Sequence, residues 1–150
     1  MGFRVFVTHA ALFAALLPSV AGAALGGNVQ SVQADRSQMK ALLQVTDAAL
    51  FKIHEIQTPS GTTVREFVSP GGLVFAVAWE GPDMPDLRQL LGQYFDQYAS
   101  AAKSARVGRT HLELQEPNLV VQSGGHMRSF AGRAYVPSML PQGLALDQIW

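Results

Sequence analysis

Between Leu87 and Tyr98 apolar side chains return every third or fourth position, at Leu87, Leu90, Leu91, Tyr94, Phe95 and Tyr98. This spacing is the stripe of an amphipathic helix, and it predicts a helix running to about Lys103. Such a stripe must be buried against another layer, and the flanking segments supply one. Pro85 suits the first turn, where a missing N–H costs nothing, while Asp83 and Asp86 are placed to satisfy or complement the free helix start. Gly92 inside the helix costs about 1 kcal/mol relative to alanine, which close helix–sheet contact would compensate.

On both sides the pattern changes to strands. Leu50–Gln57 is apolar and β-favouring, and Pro59-Ser60-Gly61 turns the chain. Thr62–Ser69 alternates, with Val64 and Val68 on one side and Arg65 and Phe67 on the other. After Pro70-Gly71-Gly72, Leu73–Trp79 is apolar on both faces: Leu73, Phe75, Val77 and Trp79 against Val74, Ala76 and Ala78. A strand of that kind belongs inside a sheet. Beyond the helix, Thr110–Gln115 and Leu119–Ser123 read as strands. Gly124-Gly125 reads as a two-residue hairpin turn, and His126–Val136 as the returning strand. Gly132 then marks a bulge or a close backbone approach. Residues 137–150 carry two prolines and little periodicity, as an irregular tail packed on the domain would. The expected fold class is α+β, antiparallel β-meanders packed against one long amphipathic helix.

The N-terminus has a different logic. Arg4 precedes an apolar run from Val5 to Leu17, then Pro18 and the small residues Ser19 to Ala24. These are the parts of a secretory signal peptide, with Ala21-Gly22-Ala23 as the cleavage site. The run falls short of the roughly 20 residues of a membrane span. An uncleaved membrane anchor is the competing reading. Residues 1–23 are therefore expected to be removed, 24–34 to form a flexible tether, and 35–150 to form one domain. Within it, Asp35–Val45 is expected as a short helix presenting Met39, Leu42 and Leu43, capped by Ser31 or Asp35. The protein is expected in the periplasm or outside the cell, with no membrane span after cleavage.

Composition narrows the chemistry. The chain has no cysteine, which excludes disulfides, thiol nucleophiles, cysteine-ligated zinc and a lipidated-cysteine anchor. Its 11 basic and 11 acidic side chains balance, so there is no basic stripe for nucleic acid. Lys103, Arg106 and Arg109 cluster, and helix C-terminal complementation accounts for them more simply than an anionic partner does.

Several constellations could carry chemistry. His54-Glu55 pairs a base with an acid, but neighbours in a strand face opposite ways, which favours a half-exposed strand histidine. Ser123-Gly124-Gly125-His126 places a serine and a histidine about a tight turn. Nucleophilic catalysis there would further need an orienting carboxylate and oxyanion donors, and spacing assigns neither. A contact for a small ligand or anion at the glycine amides, with Arg128 nearby, is the better use. His54, His111 and His126 lack the spacing of a metal site, so neither metal nor cofactor is expected. Asp83 and Asp86 form a carboxylate pair that capping explains. Phe75, Trp79, Tyr94, Phe95 and Tyr98 read as core.

The segments Gly61-Thr62-Thr63-Val64-Arg65-Glu66-Phe67-Val68 and Val74-Phe75-Ala76-Val77-Ala78-Trp79-Glu80-Gly81-Pro82 also carry a resemblance. So do Pro85-Asp86-Leu87, Leu90-Leu91-Gly92-Gln93-Tyr94-Phe95 and Leu119-Val120-Val121-Gln122-Ser123-Gly124-Gly125-His126-Met127, with Ala24-Leu25-Gly26-Gly27. Together they resemble the bacterial exported family called domain of unknown function 2844. The resemblance implies a Gram-negative exported protein; it implies no activity and transfers no site residue. The expected function is non-catalytic binding of an envelope protein or a small ligand, through Ser123, Gly124, Gly125, His126 and Arg128. The alternative is a small envelope hydrolase using Ser123 and His126.

Overall fold

The computed structural model describes residues 25–104 and 111–150. The expected leader with its cleavage site, together with Arg106, Arg109 and Thr110, lies outside them. Seven strands form one antiparallel sheet in the order β1-β2-β3-β4-β7-β6-β5. Their bounds are β1 Leu42–Asp47, β2 Lys52–Gln57, β3 Thr63–Val68, β4 Val74–Gly81, β5 His111–Glu116, β6 Leu119–His126 and β7 Ser129–Tyr135. Two meanders, β1 to β4 and β5 to β7, are joined where β4 pairs with β7. The strand that is apolar on both faces, β4, is thus the middle of the sheet.

The register of β4 carries an irregularity that alternation alone does not reveal. Phe67 pairs with Ala76 but Val68 pairs with Val74, so Phe75 is an extra residue in a bulge. Val74 therefore joins Val77 and Trp79 in the core on one face, while Phe75 joins Ala76 and Ala78 on the other. This corrects the expected grouping of Phe75 with Val77 and Trp79. Leu73 lies before the strand and is exposed.

Helices cover the first face. The long helical segment is real but broken: α2 (Leu87–Leu91) passes through a 3-10 turn at Gly92–Tyr94 into α3 (Phe95–Ser104). Gly92 serves as the break, with φ 48° at the end of α2. Asp86 is the N-cap, its carboxylate accepting from the backbone N–H groups of Arg88 and Gln89. Asp83 is held through its backbone by the Thr62 hydroxyl. Leu87, Leu90 and Leu91 are buried, and Tyr94, Phe95 and Tyr98 pack against the same core.

The N-terminal expectations need correcting. Residues 24–34 were assigned to a tether, yet from Leu25 onward they are packed. Leu25 is buried, and its N–H donates to the Leu90 carbonyl. Gly26 N–H donates to Val74 O, and Val74 N–H donates to Gly27 O, so this strap is stitched to the start of β4. Helix α1 (Val29–Met39) then begins at Asn28, whose side chain accepts from Gln30 and Ser31 N–H. It is not the expected helix over Asp35–Val45, because Lys40 ends it at φ 50° and Leu42 and Leu43 enter β1.

The second face is covered by the C-terminal tail. Phe51, Phe67 and Phe75 stack at centroid distances of 5.7, 5.9 and 6.3 Å, and the fully buried Ile149 closes the same core. Among the described residues, no helix is long and apolar enough to cross a membrane.

Candidate functional site

The last three strands meet the tail at a groove of about 420 Å³. Strand β6 does not turn at Gly124-Gly125 as expected; it continues through both glycines to His126, which pairs with Ser129. The hairpin turn is Met127-Arg128, with Arg128 at φ 61°. Gly125 is required by crowding: a Cβ there would lie 2.6 Å from the Ser129 carbonyl oxygen and 2.8 Å from the Phe130 ring. The glycine pair thus serves the strand, and the turn itself uses residues without a glycine signal.

Of the five residues expected at the site, Ser123, Gly124, Gly125 and His126 line the groove, joined by His111, Gln122, Ser129, Ala131 and Trp150. Arg128 does not line it; it belongs to the turn. Ser123 and His126 are three residues apart on a regular strand, so their side chains take opposite faces. Ser123 is buried while His126 is exposed. The cross-hairpin serine–histidine pair expected from a turn at Gly124-Gly125 is therefore not formed. Among the described residues, no carboxylate lines the groove.

What organises the groove is Arg133, which the sequence did not single out. Its Nε donates to Gln122 Oε1 at 2.8 Å, and Nη1 donates to the Leu146 carbonyl at 2.6 Å. Its guanidinium lies 4.7 Å from the Trp150 ring centroid. One side chain thus fixes the Gln122 amide, the tail and the indole together. Trp150 stays half-exposed at the rim while its neighbour Ile149 anchors the tail below. A smaller hollow of about 190 Å³ contains Asp83 and Asp86 beside Thr58, Ser60 and Thr62, but the capping bonds already engage Asp86.

The remaining polar candidates lie on the other face. His54 is buried, not half-exposed, because β2 is an inner strand. Desolvation, with the nearby Lys52 charge, lowers its pKa. Glu55 on the opposite face pairs with Arg65 at 3.0 Å. His54 sits directly across from Glu66 in the β2–β3 register. Glu66 is buried next to Asp35 of α1, and burial first, then that carboxyl, push its pKa up to about 9. Asp35 accepts from the Gln89 side chain of α2. Among the described residues, no group of three His, Cys, Asp or Glu side chains is arranged to hold a metal ion.

The family model described as Protein of unknown function (DUF2844) matches residues 21–149. The chain belongs to this family. No curated protein and no solved structure matches it. The DUF2844 match takes in the strap from Leu25, the whole sheet and the tail as far as Ile149.

Proposed function

We propose that this DUF2844 protein is an exported, non-catalytic binding domain of the cell envelope, and that the groove beside Trp150 seats a small uncharged ligand. The observation that carries the reading is the lining itself. Among the described residues its lining has no Asp, Glu, Lys or Arg, but it offers the Gln122 amide, the Ser129 hydroxyl, two imidazoles and an indole. The Arg133 guanidinium beside the groove is already engaged by Gln122, the Leu146 carbonyl and the Trp150 ring, so a charged ligand would gain little in return for its desolvation. A neutral ring bearing hydroxyl or amide groups would stack on the indole and hydrogen-bond along the rim. Export rests on the leader-like N-terminus, and an envelope protein presenting such a ring would use the same seat.

The test is ligand-observed NMR with neutral monosaccharides, their N-acetylated forms and size-matched carboxylates. Neutral rings are expected to bind, and Trp150→Ala to weaken them at least about tenfold, one stacking contact of about 1.4 kcal/mol. Equal binding of the carboxylates, absence of any binding, or indifference to Trp150→Ala would overturn the reading. The hydrolase alternative is separated by a fluorophosphonate probe, which should leave Ser123 unlabelled.

A further inference from the structure

Under α1 the molecule encloses an acid pair that the ligand groove does not use. Asp35 is fully buried on α1, and Glu66 is 1% exposed in the middle of β3. The two carboxyl groups are neighbours. Two neighbouring carboxylates cannot both be charged in a site this closed to water, so the pair retains a proton. We infer that a proton shared between Asp35 and Glu66 clasps α1 to the sheet, and that its loss to solvent releases α1 and the strap before it. The strap makes this local: α1 is covalently continuous with Leu25–Asn28, whose backbone bonds to Leu90 and Val74 are few.

Residues of the elements packed around the pair enclose it. Helix α1 contributes Ser31 and Asp35, β2 contributes His54, β4 contributes Val77 and Trp79, and α2 contributes Gln89. The charged neighbour acting on Glu66 is Asp35, and the charges acting on His54 are Lys52 and Asp47. The two buried titrating groups oppose each other in acid. His54, lowered when folded, gains stability as pH rises to its unfolded value of 6.5 and then adds nothing further. Glu66, raised when folded, contributes fully below its unfolded value of 4.5 and loses that contribution as pH rises toward about 9. Between pH 7 and about 9 His54 no longer contributes, and the slope belongs to the Asp35–Glu66 pair.

The experiment is amide hydrogen exchange on the full chain from about pH 7 to 10, expressed as protection factors for the α1 amides. They should fall about tenfold per pH unit, the slope of one proton, and level off above about pH 9. Glu66→Gln should flatten the profile. Independently of any variant, the carbon-13 shift of the Glu66 carboxyl in the wild-type chain should titrate far above the ordinary carboxylate range. Flat wild-type protection, a slope that survives Glu66→Gln, or a Glu66 carboxyl titrating near its ordinary value would each overturn the clasp.

Discussion

Beneath α1 the polar side chains Asp35, Glu66 and His54 are sealed from solvent, whereas beside the tail Gln122, Ser129 and His126 stand along an open groove. The sealed region is rich in buried titratable groups; the open groove, among the described residues, is lined by no carboxylate. Perturbed acids often mark active sites, but here Asp35 and Glu66 are buried and neither lines the groove. The groove beside Trp150 and the buried acid pair thus lie on the two faces of one sheet. That separation favours binding on one face and fastening on the other over hydrolysis on either.

The largest expected effect comes from detaching the tail. Ile149→Ala should cost about 3 kcal/mol in urea unfolding, since it empties a fully buried position. It should abolish groove binding while leaving α1 protection at pH 7 unchanged. Loss of both would mean the two faces are one cooperative unit. Next, Asp35→Ala should cost about 2 kcal/mol, because Gln89 loses its acceptor and Glu66 its neighbour. Its signature is reduced α1 protection with groove binding intact. The smallest change is Arg133→Lys, at about 1 kcal/mol, which removes the planar fork that joins Gln122, Leu146 and Trp150. Ligand affinity should fall by more than stability does; equal losses would make Arg133 merely structural.

Much of the sheet was legible because its signals are local. The turns at Pro59-Ser60-Gly61 and Pro70-Gly71-Gly72, the two-faced β4 and the Leu87–Tyr98 stripe all announce themselves within a dozen residues. Gly132 was rightly marked as a close approach: a Cβ there would lie 2.3 Å from the Trp79 ring. Helix α1 escaped because its buried positions include Ser31 and Asp35 as well as Val32, so no apolar stripe exists to find. The Gly124-Gly125 pair misled because a hairpin turn and a crowded strand both select glycine, for different reasons. Ser123, Gly124, Gly125 and His126 still line the groove, since it lies along the same strand. Trp150 and Arg133 were not, because their meeting depends on where a tail with no periodicity docks.

The chain contains two tryptophans, and the architecture puts one at each of the regions compared above. Trp79 lies in the interior on the helical side, against Gly132, while Trp150 borders the groove. The protein therefore carries its own optical labels. Blue-shifted emission from the first should redden only when the helical side loosens, and the second should respond to quenchers and to bound rings. A single emission spectrum can follow both events in one cuvette without an added dye.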